Sequence, residues 1–418
     1  MTENLKAMYR KPLLLAALLL LLSACTDFTT DRDLQSALEK DIQYLADDKL
    51  EGRAIGTEGE RLAAEYIAQA FEQMGLLPKG TNGYYQEFTV KKPNNPHEAV
   101  QINANGEGIT GRNVAGFIDN GAAITVVFGA HYDHLGWGEE GSLYRGERAI
   151  HNGADDNASG TAAIIQLARL LKEEDDNFNY LFLAFSGEER GLWGSNYFSK
   201  NATVDLATVN YMINLDMVGR LNEEKSLAVN GVGTSPIWRE KLELANSDSL
   251  KLVMKESGQG PSDHMSFYLQ DVPVLHFFTG QHDDYHRPSD DADKINYEGI
   301  VKIVRFLERL TSELDEEEKL AFTKTKDESN DNPRFRITLG VVPDYLYDGK
   351  GMRIDGVTEG KPAAAAGLEK GDIVVKLGDS TVVDMMSYMR ALSSFESGDR
   401  TVVEYKRGDE LRAAQVKF

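Results

Sequence analysis

Two rhythms of apolar positions run through the chain. From Thr57 onward, Ala63, Ile67, Ala70, Phe71 and Met74 recur at the three-to-four spacing that lines one face of a helix. Thr57 and Glu60 have the form of a capping box, and Gly75 follows as a stop. A second helical stripe runs through Ala162, Ile164, Leu167, Ala168 and Leu171, and a third through Ile300, Ile303, Val304, Leu307 and Leu310. The other rhythm is four unbroken apolar runs, at residues 124–130, 180–185, 209–215 and 272–278. A strand reads as continuously apolar when both its faces are covered, as in a parallel sheet flanked by helices. The alternation of strand and helix predicts an α/β domain whose twisted, mixed sheet is mostly parallel.

After the third stripe the pattern breaks. Residues 313–318 are acidic and residues 323–333 are polar, with Lys, Asp, Ser and Asn, which marks a connector. The first domain is expected to end at residue 322, and residues 334–418 form a small β-rich domain punctuated by Gly-Asp turns. No fixed-period repeat is present. The 418 residues suffice for more than one core, and 41% hydrophobic with 27% charged residues is a globular composition. A formal charge of −22 argues against nucleic acid or an anionic membrane surface as the main partner.

The N-terminus changes that picture in one respect. Lys6, Arg10 and Lys11 precede an apolar run over residues 13–22, then Ser23, Ala24 and Cys25. This is the form of an export signal, too short for a stable membrane span. Cys25 is the only cysteine, so no disulfide forms within the chain. Leu22-Ser23-Ala24-Cys25 resembles the bacterial lipobox. The resemblance implies removal of residues 1–24, a lipid anchor on Cys25, and a place in the cell envelope. Thr26 in the next position leans toward the outer membrane, facing the periplasm.

Chemistry concentrates at the ends of the four apolar runs. Seven of the eight histidines fall between His131 and His286. The first run leads into His131-Tyr-Asp133, the second into Ser186-Gly-Glu188-Glu189, the third into Asp216, and the fourth into a loop holding Tyr285-His286. Asp155 stands just before a helix opened by Asn157. Open α/β sheets bind ligands beyond the carboxyl ends of their strands. Two imidazoles and three carboxylates gathered there match the donor set of two divalent cations, with positions left for water and substrate. Of the neighbours Glu188 and Glu189, one then ligates while the other takes a proton. His151 and His276 are expected to be hydrogen-bonded core residues; Asp290 is either a turn residue or a support for the site.

His131-Tyr-Asp133, Gly153-Ala-Asp155-Asp156-Asn157-Ala-Ser-Gly160, Ser186-Gly-Glu188-Glu189, Asn214-Leu-Asp216-Met and Tyr285-His286 resemble, in order and spacing, the motifs of the co-catalytic zinc aminopeptidases. That family includes bacterial leucyl aminopeptidases, glutamate carboxypeptidases and glutaminyl cyclases. The resemblance implies a zinc exopeptidase fold and two zinc ions, one of them replaceable by another divalent ion. His131 and Asp216 would hold one ion, Glu189 and His286 the other, and Asp155 would bridge them. Glu188 would be the general base of a hydrolysis driven by a zinc-bridged hydroxide, Asp133 would orient His131, and Tyr285 would donate to the oxyanion. By the same analogy the Asp155–Asp156 peptide is cis. Glutaminyl cyclases use one zinc, so the five-residue set favours hydrolysis. A substrate-covering insert common in the family is reduced here to residues 91–113. The resulting expectation is an aminopeptidase acting on peptide substrates, with a carboxypeptidase or dipeptidase as the enzymatic alternative.

In the last domain, Gly356-Val-Thr-Glu-Gly360-Lys-Pro362, Ala363 to Ala366, Gly367-Leu368 and Gly371-Asp372-Ile373 resemble the centre of a bacterial PDZ domain. Thr338-Leu339-Gly340-Val341 has the form of its carboxylate-capturing loop, which implies a peptide or protein ligand added at a sheet edge. Pro343 interrupts the strand that would pair with it. A non-catalytic envelope protein acting through this module is the rival to an enzyme.

Overall fold

The computed structural model describes residues 30–91, 101–102, 108–138, 140–174, 177–325, 337–344, 347, 349–357 and 360–418. The export signal, Cys25 and residues 326–336, which hold most of the expected connector, lie outside them. Among the described residues no helix is long and apolar enough to cross a membrane.

Among the described residues the larger sheet has ten strands: β1 (Leu77–Pro78), β2 (Tyr85–Lys91), β3 (Gln101–Ile102), β4 (Ile109–Ile118), β5 (Thr125–His131), β6 (Asn179–Phe185), β7 (Val209–Leu215), β8 (Ser226–Asn230), β9 (Lys251–Lys255) and β10 (Val274–Phe278). Their order is β3-β2-β4-β6-β5-β7-β10-β8-β9, with β1 beside β4. The four apolar runs are the central quartet β6-β5-β7-β10, and all its pairings are parallel. β4 joins this quartet antiparallel to β6, and β8 antiparallel to β10, so the sheet is mixed. Every residue of β5, β6 and β7 is buried, because helices cover both faces. The helices Asp31–Leu45, Glu58–Gln73, Gly160–Leu171 and Tyr297–Leu314 contribute to the largest core. The last of these buries Ile300, Ile303, Val304, Phe306, Leu307, Leu310 and Leu314. Each such side chain contributes on the order of 2 kcal/mol when fully withdrawn from water. On the opposite face Phe185, Phe198 and Phe267 pack together with Val127 and Met212.

The first domain continues past the expected boundary at residue 322. Leu320 is buried, Phe322 packs on Tyr268, Thr323 N–H donates to the Thr234 carbonyl, and Thr325 bonds the Tyr268 hydroxyl.

The smaller sheet, β11 (Val341–Pro343), β12 (Met352–Val357), β13 (Ile373–Leu377), β14 (Ser380–Thr381), β15 (Arg400–Arg407) and β16 (Glu410–Lys417), is antiparallel throughout. Its core, including Leu339, Ile354, Val374, Leu377 and Val403, shares no residue with the larger one. The Ala-rich helix Pro362–Ala365 turns at Gly367, whose φ of 75° suits glycine. Pro343 does sit in a strand, at the edge of the sheet, where the register slips between Val342 and Pro343.

Candidate active site

Because the quartet is parallel, its carboxyl ends share one edge, and the polar residues after each strand meet there. The centre of that meeting is Asp156. Its Oδ1 lies 3.4 Å from His131 Nε2 and its Oδ2 3.2 Å from His286 Nε2. Around the first contact stand Asp216, with Oδ1 3.4 Å from His131 Nε2, and Glu188, with Oε2 4.0 Å from it. Around the second stands Glu189, with Oε2 3.2 Å from His286 Nε2. The structure therefore brings His131, Asp216, Glu188, Glu189 and His286 together.

Asp155, expected to bridge, is not at the centre. Its Oδ1 accepts from Gly219 N–H and the Ser159 hydroxyl, and its Oδ2 faces His282 Nε2 at 3.1 Å. These bonds turn its carboxylate away from His131 and His286 and leave the central place to the next residue. The cis peptide likewise falls one residue later than expected, between Asp156 and Asn157. Two adjacent acids in one loop could not be told apart without knowing which one the loop turns inward. Asp290 supports this loop directly, its Oδ2 accepting from the N–H groups of both Asp155 and Asp156. Asn157 anchors the other side through Gly160 N–H and Met217 N–H.

The two imidazoles are held in a way that suits a cation. His131 Nδ1 faces the Asp133 carbonyl at 3.2 Å, and His286 Nδ1 faces the Gly141 carbonyl at 3.0 Å. A carbonyl only accepts, so each Nδ1 carries a proton. In the neutral ring Nε2 then presents a lone pair to carboxylate oxygens 3.2–3.4 Å away. Lone pairs facing lone pairs repel unless a positive charge lies between them. Burial opposes it, but Glu188 and Asp216 raise His131, and Glu189 and Asp156 raise His286 to about 11. A ring proton thus supplies that charge where no metal does, and a cation can take its place. Donors about 2 Å from a tetrahedral zinc sit about 3.3 Å apart, so these spacings fit such an ion.

With acids so concentrated, the neighbouring glutamates part company. Burial, reinforced by Asp216, Asp263 and Glu189, holds the Glu188 carboxyl well above its usual range. Burial acts the same way on Glu189, but His286 and His134 overcome it and hold that group well below. The two environments thus favour the protonated form of Glu188 and the anion of Glu189. Asp133 accepts the Glu188 N–H through Oδ1 at 3.1 Å, while its carboxylate stands 3.8 Å from His131 Nδ1; burial pushes it up to about 7. The Tyr285 ring stacks on His286, 3.8 Å between centroids. Burial and the surrounding acids hold its hydroxyl proton firmly, so Tyr285 remains a donor through neutral pH. Ser262 donates to Asp216 Oδ2 at 2.7 Å. His151 is fixed inside by Ser142 and the Ala149 carbonyl, and His276 contacts Asn214 and stacks against His264.

Three supports of the site carry no sequence signal that ties them to it. Arg53, fully buried, donates to the carbonyls of Leu45, Tyr132, Asn152 and Gly153, so one guanidinium ties the loop after β5 to the loop that carries Asp156. Glu60 leaves its capping box half made. Thr57 does cap Glu60 N–H, but the Glu60 side chain turns inward to accept from the Tyr132 and Ser186 hydroxyls. The third is His134, whose Nδ1 lies 2.7 Å from Glu189 Oε1.

Residues 113–311 match the profile of peptidase family M28, and residues 321–418 that of the PDZ domain. The chain carries an M28 peptidase domain followed by a PDZ domain. The M28 domain is 32% identical over 161 residues to aminopeptidase YwaD of Bacillus subtilis, a stretch covering 35% of this chain and 34% of that protein. The fold matches a Zn-dependent exopeptidase from Parabacteroides distasonis, with a TM-score of 0.54 at 17% identity over 66% of this chain and 97% of that one. It also matches the glutaminyl cyclase of Porphyromonas gingivalis, with a TM-score of 0.55 at 16% identity over 67% and 98%.

Proposed function

We propose that the M28 domain is a two-zinc aminopeptidase. The observation that carries this reading is the pair of donor groups sharing Asp156: His131 and Asp216 on one side, His286 and Glu189 on the other, with Glu188 beside them and tied to neither imidazole by a hydrogen bond. Two zinc ions held there would act as Lewis acids toward the scissile carbonyl and acidify water. Glu188, ionised beside the two cations, would take the proton from the attacking water and pass it to the leaving amine. The buried, acid-rich surroundings that favour its protonated form suit it to hold that proton between the two transfers. Tyr285 has a hydroxyl suited to donate to the oxyanion that forms on the carbonyl. Asp133 holds the backbone of Glu188 and, through its own carbonyl, the His131 ring. An envelope location through a lipid on Cys25, and peptide capture by the PDZ domain, are parts of the same proposal.

The test uses the purified chain with aminoacyl anilides and free or N-acetylated peptides. Cleavage from the free amino end, abolished by acetylation and by a chelator and restored by zinc, is the expected result. Shortening from the carboxyl end would replace the aminopeptidase reading with a carboxypeptidase. Release of ammonia from N-terminal glutamine without shortening would replace hydrolysis with cyclisation.

A further inference from the structure

His134 is buried and touches the site, and its contact with Glu189 points to a specific task. Its Nδ1 is 2.7 Å from Glu189 Oε1 and 3.9 Å from Asp156 Oδ2. The shorter distance is too close for two ligands of one zinc but is that of a charge-assisted hydrogen bond. Because a carboxylate has no proton to give, the imidazole N–H is the donor. The oxygen it grips is Oε1, whereas Oε2 is the one that stands 3.2 Å from His286 Nε2.

The ring's position is fixed by sequence on both sides. His134 N–H donates to the Arg53 carbonyl. Its ring lies over Gly153, where an added Cβ would come within 2.5 Å of two ring carbons. Gly153, with φ 56°, is the glycine that opens the Asp155-Asp156 loop, so the ring and the loop were fitted to one another. The His286 ring meets it edge to face, 5.8 Å away. His134 Nε2 has no hydrogen-bond partner among the described residues, so the imidazole's one polar engagement is with Glu189 and, more distantly, Asp156.

We infer that His134 is a positioning residue for the second cation: by holding Glu189 Oε1 it presents Oε2 alone, beside His286 and Asp156, and so sets the affinity of that position. The inference rests on the two-cation reading above. Partners that orient a metal ligand typically change affinity by about 10- to 100-fold. The first position, around His131 and Asp216, receives no such contact and should not change.

The experiment is titration of the metal-free full chain with Zn2+ by calorimetry, and with Co2+ by visible absorption, comparing wild type, His134→Phe and His134→Asn. Phenylalanine keeps a ring over Gly153 without the N–H; asparagine restores a short amide donor. The expected result is two ions bound by wild type, a second affinity about 10- to 100-fold weaker in His134→Phe with the first unchanged, and partial recovery in His134→Asn. A His134→Phe chain that binds both ions as wild type does would overturn the inference. So would equal weakening of both positions with a lowered melting temperature, since that marks a packing role only. Wild type binding a single ion would instead sink the two-cation reading itself.

Discussion

Asp155 and Asp156 are the residues on which sequence and structure part most sharply, and they make the most direct test of the site. Asp156 faces both imidazoles, so Asp156→Asn should lower affinity for zinc at both positions, by at least about 100-fold if shared ligation is correct. Asp155→Asn keeps an oxygen able to accept from Gly219 and Ser159 and should cost no more than about 1–2 kcal/mol of stability, with two ions still bound. Metal content by mass spectrometry separates the two variants; equal losses would return Asp155 to the centre. Glu188→Gln makes the complementary prediction. If its side chain moves a proton and does not hold an ion, kcat should fall by about 100- to 10,000-fold while zinc content stays at the wild-type value. Lost zinc would make Glu188 a ligand beside His131 and Asp216.

At the scale of elements, the legible part was whatever had a strong period. Residues 209–215 coincide with β7, residues 180–185 and 124–130 fall within one residue of β6 and β5, and the stripe from Ile300 lies inside the helix Tyr297–Leu314. Parallel pairing then delivered His131, Glu188, Glu189, Asp216 and His286 to one edge without further information. The strands without an apolar run were missed. β4 spans Ile109–Ile118 with Thr110, Arg112 and Asn113 in it, and it begins within the stretch taken for a reduced insert. Polar residues are tolerated there because Asn113 bonds Gln86, Gly194 and Ser186. Glu60 departs from its local pattern for a related reason: the capping box would return its carboxylate to the helix start, and tertiary partners claim it instead. Buried, and lowered only in part by Tyr132, Arg112 and Ser186, its carboxyl is held above its usual value of 4.5. An acid raised in the folded state binds its proton more tightly there than when unfolded, so it favours folding at low pH and that contribution is lost as pH rises from about 4.5 through the folded value. Glu60→Gln should remove this slope. Urea denaturation of both chains from pH 4 to 8 should show wild type losing stability relative to Glu60→Gln as pH rises; a constant difference would place the Glu60 ionisation elsewhere. Arg53, pulled down to about 10 by burial, still carries its charge at neutral pH. Arg53→Met strands four buried carbonyls and should cost about 3 kcal/mol or more, together with zinc affinity, since two of those carbonyls border the Asp156 loop.

For the whole molecule the deciding fact is that the described cores share no side chain: the M28 domain builds its own interior from Leu34 to Phe322, and the PDZ domain builds another from Leu339 to Val416. Cooperative unfolding follows shared packing, so calorimetry should resolve two transitions rather than one. On the proposed site only one of them should depend on zinc, because the proposed donors lie between His131 and His286, far in sequence from the second core. A ligand that binds only the folded state stabilises it by about 2.7 kcal/mol at a hundredfold excess over its dissociation constant. For a domain of nearly 300 residues such a gain moves the melting temperature by several degrees. Adding a chelator should therefore lower the transition of the M28 domain and leave that of the PDZ domain in place, and restoring zinc should reverse the shift. If both transitions moved together, the two interiors would have to be coupled through surfaces beyond their cores. In that case the PDZ domain would be acting on the peptidase as part of its fold, and its edge strand at Pro343 would have to be reconsidered as a wall rather than a groove.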